Sequence, residues 1–559
     1  DHDMLGMMMD APLLLSGLID YAADSHAKRE VVSRELDGHV ARETYAEARD
    51  RARKLAQGLD ALGLREGERL GVLAWNTRAY FEMFYAVPGM GAVLHTINPR
   101  LYEDQLVYII NHAEDAWFAF DAGCIDLVRA VAPQLTTVRG WIFMGPREEL
   151  PDDLNLARVE FYEEILDAQP GGGEWPEFDE NRAAMICYTS GTTGNPKGAV
   201  YSHRSIVLSV VFMMLGDTIS GFRSGVTETF MPFAPLFHGG GWFGPYSAPL
   251  MGANLVLPGR DFTAPALYDL LEDEGVTLCF GVPTIWMIVV NWMKDHGKTF
   301  STLRATVMSG AKPPRALQAA LFDLGVEPMQ GWGMTETLGS SRMALIGGMA
   351  DLSREEKLDR YQFGGRRTFA TKYRLEDDDG NPVPFDGVSR GHLLVRGPVV
   401  AGGYLKLGED PEGKRPGEMH DWLHTGDIAI LHPDGQIEIA DRSKDVIKSG
   451  GEWISSVELE NAAMGHPEIA EAAVIAIAHP KWQERPLLVC ARRAGATVTG
   501  AEVIEFLRGQ VADWWLPDAV EFLDELPRTG TGKIWKLKIR DAFEGYELPL
   551  TAAGGTAPA

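Results

Sequence analysis

Residues 188–198 read Tyr188-Thr189-Ser190-Gly191-Thr192-Thr193-Gly194-Asn195-Pro196-Lys197-Gly198, and an apolar run at 183–187 precedes them. The apolar run predicts a buried strand that leads into a loop of glycine, serine and threonine around one lysine. Backbone N–H groups, hydroxyls and an ammonium group are what phosphate loops offer to a polyanion. Pro196 stands where a Walker A loop has glycine before its lysine, so this loop is of another kind. A glycine-rich surface turn is the alternative interpretation.

The bulk composition limits the classes of protein to which the chain can belong. At 559 residues it is too long for one hydrophobic core, so at least two domains are expected. The formal net charge of −27 argues against nucleic acid and anionic membranes as main partners, but not against a nucleotide ligand. No apolar stretch approaches the ~20 residues of a membrane-spanning helix, and no signal-peptide pattern is visible. We therefore expect no integral membrane segment.

The four cysteines, Cys124, Cys187, Cys279 and Cys490, stand far apart in the sequence. Neither a CxxC pair nor a Cys/His spacing is present, so neither a disulfide framework nor a zinc site is indicated. Buried thiols are the expected interpretation of cysteines in or beside apolar runs. This pattern fits a cytoplasmic protein.

Short apolar runs alternate with amphipathic segments through the first two thirds of the chain. Strands are predicted at 253–257, 276–280 and 304–308, with helices at 264–274 and 314–324 between and after them. Strands separated by helices of 10–15 residues predict an α/β fold with parallel, doubly wound sheets. Ligands of such sheets lie beyond the carboxyl ends of the strands. We therefore expect the loops that follow the strands to form the site.

The pattern changes twice towards the C-terminus. From about residue 370, short β segments are separated by Gly/Pro/Asp turns, which predicts a β subdomain. Beyond it a small α+β unit is predicted, with strands at 470–478, 487–491 and 520–522 and helices at 456–464 and 501–515. We place a domain boundary at Asp441/Arg442. This gives a large N-terminal domain, 1–441, and a small mobile C-terminal domain, 442–559.

Six motifs in a fixed order resemble the acyl-adenylate-forming superfamily, which comprises acyl-CoA synthetases, nonribosomal-peptide adenylation domains and luciferases. The resemblance covers about residues 20–545. Its motifs are 188–198, Pro235-Leu236-Phe237-His238, 331–337, Leu423-His424-Thr425-Gly426-Asp427, 441–451 and 527–533. Four longer strings are most similar to bacterial medium-chain fatty-acyl-CoA and 3-methylmercaptopropionyl-CoA ligases. They lie at 4–8, 95–101, 108–115 and 448–456.

The resemblance implies an ATP site and a Mg²⁺ site. The ATP-binding residues would be Thr189, Ser190, Gly191, Thr192, Thr193, Gly194, Lys197, Gly310, Ala311, Gln330, Gly331, Trp332, Gly333, Met334, Asp427 and Arg442. Thr335 and Glu336 would act in catalysis and bind Mg²⁺, since a hydroxyl and a carboxylate suit a hard cation. Asp427 would accept hydrogen bonds from both ribose hydroxyls, and Arg442 would add a ribose contact. The face of Trp332 would cover adenine; a packed core indole is the alternative.

The resemblance also implies residues for catalysis, hinge motion and CoA. Lys533 would neutralise charge at the reacting carboxylate and α-phosphate. Lys444 stands at the hinge position, although an ordinary surface lysine is the alternative. The CoA-binding residues would be Lys448, Ser449, Gly450, Gly451 and Glu452. Rotation about the hinge would exchange Lys533 for the CoA-binding face.

The acyl pocket contains the one departure from the subgroup that matters. The pocket would be lined by His238, Gly239, Gly240, Gly241, Trp242, Gly310 and Gly333. His238 is included among the catalytic candidates, but a gate or pocket wall fits it better than a base, because a carboxylate nucleophile needs no deprotonation. The three glycines remove side-chain volume, which favours a wider acid, unless they only permit a turn.

The sequence thus predicts an AMP-forming carboxylic acid–CoA ligase that uses ATP, Mg²⁺ and CoA. The acid would be a medium-chain fatty acid or a methylthio-, branched or aryl-alkanoic acid of similar size. An adenylating enzyme that loads a carrier protein, a non-catalytic nucleotide-binding protein and luciferase-like oxygenation are the alternatives. The expected partners are these small molecules alone, with association as a homodimer left open.

Overall fold

The computed structural model describes residues 6–189, 195–215, 227–339, 341–342, 349–369, 371–406, 422–450, 452–529 and 533–548. These residues form four sheets and the helices that cover them. The helices of six or more residues are Ser16–Ser25, Tyr45–Leu62, Arg78–Gly89, Glu103–Ala113, Ile125–Val131, Tyr162–Asp167, His203–Met213, Gly244–Met251, Ala264–Asp273, Pro283–Asp295, Arg315–Asp323, Arg354–Tyr361, Ser456–Met464, Gly500–Leu507 and Lys536–Ala542.

The first sheet has seven strands and carries the phosphate-loop segment at its edge. Its order is Val159–Phe161, Gly140–Phe143, Asp115–Phe120, Arg69–Leu73, Val93–Thr96, Ala183–Tyr188 and Gly198–Ser202. The strands are parallel except for Gly198–Ser202, which returns antiparallel to Ala183–Tyr188. The predicted loop therefore connects two adjacent strands of one hairpin.

The second sheet has nine strands and brings three predicted site loops to one edge. Its order is Arg366–Arg367, Ser341–Arg342, Glu327–Trp332, Ala305–Met308, Leu278–Gly281, Thr229–Pro232, Asn254–Leu257, Glu30–Arg34 and Val40–Thr44. The strands from Glu327–Trp332 to Glu30–Arg34 are parallel. Their carboxyl ends lead to Glu336, Gly310 and His238. The doubly wound α/β class predicted from the sequence is confirmed.

The helix Arg78–Gly89 joins the two large sheets into one core. Every residue from Tyr80 to Gly89 is buried, and aromatic side chains fill its surroundings. The Tyr85 hydroxyl donates to the carbonyl of Pro245 at 2.7 Å, and the Tyr246 hydroxyl donates to the carbonyl of Phe84 at 2.8 Å. These bonds satisfy the polar ends of large buried rings, and they tie the helix Arg78–Gly89 to the helix Gly244–Met251.

The remaining sheets form the C-terminal third. A four-stranded antiparallel sheet has the order Lys372–Glu376, Arg390–Arg396, Leu423–Leu431 and Ile437–Arg442. A five-stranded sheet follows, with Glu452–Ile454, Ile447–Ser449, Gln483–Arg492 and Ile469–His479 in order and Ala519–Leu523 parallel to Gln483–Arg492. The predicted boundary at Asp441/Arg442 falls on the last residues of a strand and stays a prediction.

The predicted helix at 501–515 is wrong in its second half. The helix ends at Leu507, and only a short 3₁₀ turn, Asp513–Trp515, follows. Gly509 adopts a φ of +79°, a left-handed conformation that ends helices. The apolar residues beyond Gly509 continue the helical spacing in the sequence, and the prediction was therefore too long. In the described residues, no helix combines the length and apolarity that crossing a bilayer requires.

Candidate active site

Glu336 lies buried in a turn that follows the strand Glu327–Trp332. The turn Thr335–Thr337 is a single 3₁₀ turn, and the Glu336 side chain is 5% exposed. The Tyr404 hydroxyl donates to Glu336 Oε1 at 2.6 Å, and the backbone N–H of Ala401 donates to the Glu336 carbonyl at 2.7 Å. A buried carboxylate must be hydrogen-bonded, and here a tyrosine supplies the bond. One carboxylate oxygen is thus oriented.

The two ends of the phosphate-loop segment are hydrogen-bonded to each other, and Lys197 lies near the ring of Tyr404. Residues 190–194, which carry the predicted phosphate ligands Ser190, Gly191, Thr192, Thr193 and Gly194, lie outside the described residues. Thr189 N–H donates to the Lys197 carbonyl at 2.8 Å, and Lys197 N–H donates to Thr189 Oγ1 at 3.2 Å. The Lys197 ammonium lies 5.4 Å from the centre of the Tyr404 ring. Tyr404 therefore contacts both Lys197 and Glu336.

A buried carboxylate, Asp427, lies midway along the strand Leu423–Leu431 of the four-stranded sheet, opposite Arg442. Arg442 Nε forms an ion pair with Asp427 Oδ1 at 2.9 Å, and Trp332 Nε1 donates to Asp427 Oδ2 at 2.9 Å. Burial raises the pKa of Asp427, and the Arg442 charge and the Trp332 hydrogen bond oppose that rise. Each carboxylate oxygen can accept more than one hydrogen bond. Asp427 therefore keeps acceptor capacity for a diol beside Arg442.

Trp332 is a core indole as well as a site residue. Its ring is 8% exposed and packs edge-on against Tyr373 with 6.0 Å between centroids. Its N–H orients Asp427, a role the sequence did not suggest. Stacking of its face on adenine stays a prediction. Gln330, on the same strand, is 3% exposed, and its Oε1 has no hydrogen-bond partner among the described residues.

Lys533 reaches the same region from the C-terminal part of the chain. Gly310 follows the strand Ala305–Met308 with φ +87°, and a Cβ placed on it would lie 3.8 Å from Lys533 Cε. Burial lowers the pKa of Lys533 to about 8, Arg442 adds to this, and Asp427 and Glu336 oppose it. The lysine is therefore a cation at neutral pH. Glycine at 310 permits both the backbone conformation and the close approach.

His238 and the glycines after it form a left-handed turn. Gly239 and Gly241 have φ values of +52° and +61°, and Trp242 and Phe243 continue at +52° and +56°. A Cβ on Gly241 would lie 2.9 Å from Leu236 Cδ2. The left-handed conformation favours glycine at 239 and 241, although Trp242 and Phe243 adopt it as well, and this agrees with the turn alternative. Pocket widening by these glycines stays a prediction.

The environment of His238 favours a neutral ring. Burial lowers the pKa of His238 to about 4, and the Lys533 charge adds to the shift. A neutral imidazole does not repel the nearby Lys533 ammonium. The role of His238 as a gate or pocket wall stays a prediction.

The donors near Glu336 fit a Mg²⁺ ion that binds together with substrate phosphates better than they fit a metal held by protein ligands alone. No cluster of three or more His, Cys, Asp or Glu side chains able to hold a metal occurs in the described residues. Mg²⁺ is usually held by one or two carboxylates together with substrate phosphates. Glu336, with one oxygen oriented by Tyr404 and Lys197 nearby, meets that requirement.

Comparison with known proteins identifies the family. The pattern of the AMP-binding enzymes matches residues 19–405, and that of the AMP-binding enzyme C-terminal domain matches residues 458–533. The chain belongs to the AMP-binding enzyme family. The 3-methylmercaptopropionyl-CoA ligase of Ruegeria lacuscaerulensis is 46% identical over 545 residues, which cover 97% of this chain and 99% of that protein. The medium-chain-fatty-acid–CoA ligase of Ectopseudomonas oleovorans is 40% identical over 543 residues, covering 97% and 98%.

Solved structures agree with this assignment at the level of the fold. The anthranilate CoA ligase AuaEII, crystallised with anthranoyl-AMP, superimposes with a TM-score of 0.82 at 24% identity. The match covers 95% of this chain and 98% of that structure. The arrangement of the large sheets and the C-terminal unit is thus that of a known ligase fold.

Two residues of this AMP-binding enzyme contact the site and were missed in the sequence. Asn76 is fully buried; its Nδ2 donates to the Ala234 carbonyl at 3.3 Å, and its Oδ1 accepts from Leu236 N–H at 2.9 Å. It thereby fixes the chain that leads to His238. Tyr404 is the other, and the preceding Gly402-Gly403 pair was the only local signal.

The hinge candidate of the AMP-binding enzyme lies between the third and fourth sheets, and the CoA-binding candidates Lys448, Ser449 and Glu452 lie on the fourth. Lys444 stands between the strands Ile437–Arg442 and Ile447–Ser449. Lys448 Nζ pairs with Asp378 Oδ2 at 3.4 Å, while Gly451 lies outside the described residues. Gly450 N–H donates to the Trp482 carbonyl at 2.8 Å, and a Cβ on Gly450 would lie 2.8 Å from the Trp482 ring. In this conformation Lys533, and not this segment, lies beside Gly310.

Proposed function

We propose that this AMP-binding enzyme is an AMP-forming acid–CoA ligase. Its acid is a medium-chain fatty acid or an acid of similar size, such as 3-methylmercaptopropionate. One observation carries the proposal: the Lys533 cation lies at Gly310, within electrostatic reach of Glu336 and Asp427. The two relatives at 46% and 40% identity, which are matched almost end to end, support the choice of thiol and acid.

In the first step the acid carboxylate attacks the α-phosphorus of ATP, forming a C–O–P bond and releasing pyrophosphate. Lys533 neutralises the negative charge that gathers between the carboxylate and the α-phosphate. Asp427 and Arg442 hold the ribose, and Gln330 offers its Oε1 to the adenine amino group. When bound, Mg²⁺ supplies charge neutralisation to the phosphates, and Thr335 and Glu336 are the residues that would hold it. Lys197 and the loop 189–194 hold the departing pyrophosphate.

In the second step the CoA thiolate attacks the acyl carbonyl, and AMP leaves. We infer that the unit beyond Asp441/Arg442 first rotates about Lys444, which withdraws Lys533 and presents Lys448, Ser449, Gly450, Gly451 and Glu452. Such alternation gates the two steps on one site. The ion pair of Lys448 with Asp378 crosses from the rotating unit to the rest of the chain and is broken in that motion, whereas the contact of Gly450 with Trp482 lies within the unit.

Acid specificity is tested by measuring AMP release with ATP, Mg²⁺, CoA and a panel of acids. The panel runs from acetate to dodecanoate and includes 3-methylmercaptopropionate, branched acids and aryl-alkanoates. We expect the highest kcat/KM for 3-methylmercaptopropionate or for a medium-chain acid. The left-handed turn at Gly239–Trp242 already accounts for Gly239 and Gly241, so these glycines need not mark a pocket widened for an aryl group. A clear preference for aryl-alkanoates would contradict this choice. Activity with a carrier protein in place of free CoA would replace the thiol assignment.

Two further properties are part of the proposal. The four cysteines are free and buried, which supports a reducing compartment, and we propose the cytoplasm. Association as a homodimer stays a prediction.

A further inference from the structure

Tyr404 belongs to a short segment that runs along the ATP side of the site. We call residues 401–406 the strap. Its Ala401 N–H donates to the Glu336 carbonyl at 2.7 Å, and its Leu405 N–H donates to the Gly198 carbonyl at 2.8 Å. Lys406 at its end forms an ion pair with Glu114. The strap therefore links the turn of Glu336 to the second strand of the phosphate-loop hairpin.

Within the strap, one side chain contacts two charged groups of opposite sign. The Tyr404 hydroxyl donates to Glu336 Oε1 at 2.6 Å, the length of a charge-assisted O–H···O⁻ bond. The face of the same ring lies 5.4 Å from the Lys197 ammonium, within the range of a cation–π contact. Glu336 and Lys197 come from different sheets. Tyr404 fixes their separation.

We propose that Tyr404 is a positioning residue that sets Glu336 and Lys197 for the ATP phosphates and their Mg²⁺ ion. This rests on the proposed function only for the identity of the ligand. The hydroxyl holds Oε1 in one orientation, which would leave Oε2 to hold the metal. The ring holds the lysine off the carboxylate, which prevents the two from forming a direct ion pair that would have to break when ATP binds.

Tyr404 would act by preorganisation, because it holds Glu336 and Lys197 in place before ATP binds. A carboxylate that ligates a metal is usually itself hydrogen-bonded, and loss of that partner typically costs about 10–100-fold in metal affinity. An ammonium over an aromatic face strengthens binding by about 2–5-fold at exposed sites. The two contributions are separable, because the hydroxyl and the ring can be removed one after the other.

The test compares Tyr404→Phe, Tyr404→Leu and wild-type protein in calorimetric titrations with ATP, at a series of Mg²⁺ concentrations and in EDTA. We expect Tyr404→Phe to raise the Mg²⁺ concentration for half-maximal ATP binding about 10-fold and to leave binding in EDTA unchanged. Tyr404→Leu should in addition weaken binding in EDTA by about 2–5-fold. Thioester formation from preformed acyl-adenylate should be unchanged in both variants.

Tyr546→Phe is the matched control, because the Tyr546 hydroxyl also donates to a carboxylate, Glu521 Oε1, at 2.6 Å. It should bind Mg²⁺ and ATP like wild type. A double-mutant cycle with Glu336→Gln guards against a general folding effect, since Tyr404→Phe should then have no further effect on Mg²⁺ dependence. Equal Mg²⁺ dependence of Tyr404→Phe and wild type would overturn the inference, as would additive effects in the cycle. These binding data do not depend on which acid or thiol reacts, so failure of the ligase assignment would be seen separately.

Discussion

Replacement of Lys533 by alanine is expected to lower acyl-adenylate formation by about 10²–10³-fold, as removal of a charge-stabilising group at a transition state does. The lysine lies beside Gly310 and is a cation at neutral pH, since its pKa is lowered only to about 8. Without it, the carboxylate and the triphosphate repel each other and the new charge at phosphorus is not balanced. Thioester formation from preformed acyl-adenylate should keep a near wild-type rate.

The measurement is pyrophosphate exchange for the first step and thioester formation from synthetic acyl-adenylate for the second. Lys538→Ala is the matched control, because Lys538 is an exposed lysine five residues further along the same segment. It should leave both rates unchanged. An equal loss of both half-reactions in Lys533→Ala would show that the lysine acts in a common structure and not in adenylation.

Replacement of Asp427 by asparagine is expected to weaken ATP binding by about 10–100-fold and to destabilise the protein by about 1–3 kcal/mol. The carboxylate accepts from both Arg442 and Trp332, and an amide can accept from only one side. In the variant, either Arg442 or Trp332 loses its hydrogen bond to residue 427. If Trp332 Nε1 loses it, the lost bond is that of a buried donor. In addition, the diol of the ribose loses its charged acceptor.

The two consequences are separated by ATP titration and by thermal unfolding. Asp518→Asn is the control, because Asp518 pairs with the buried Arg485 at 2.7 Å and, in the part of the chain that the structure describes, has no hydrogen bond or ion pair with an ATP-binding candidate. It should lower stability without changing ATP affinity. Wild-type ATP affinity in Asp427→Asn would exclude Asp427 from the ribose site.

Much of the fold followed from the sequence because its signals are local. The ends of the helix Tyr45–Leu62 show how local such signals are: Thr44 and Glu47 form a capping box at its start, and Gly63 ends it at φ +96°. The alternation of short apolar runs with amphipathic helices predicted the parallel strands around Ala305–Met308. The prediction of a helix beyond Leu507 was wrong because it followed the apolar pattern past Gly509, whose left-handed backbone ends the helix.

The sequence predicted which residues form the site better than it predicted the contacts between them. The motifs supplied Asp427, Glu336 and Lys533, but not the hydrogen bond by which Trp332 orients Asp427. Tyr404 and Asn76 act through contacts with residues 68 and 160 positions away, and no local spacing encodes such contacts. The sequence offered both the missing side-chain volume and a turn as reasons for the glycines after His238, and the left-handed φ values of Gly239 and Gly241 agree with the turn.

Activation of the acid as an adenylate can be followed by the transfer of ¹⁸O from the acid to AMP. The acid is labelled with ¹⁸O in both carboxylate oxygens and allowed to react with ATP, Mg²⁺ and CoA, and the products are analysed by mass spectrometry. Because the carboxylate oxygen bonds to the α-phosphorus and stays there when CoA attacks the carbonyl, each AMP should carry one ¹⁸O and pyrophosphate none. Label in pyrophosphate or in inorganic phosphate, or unlabelled AMP, would contradict the account.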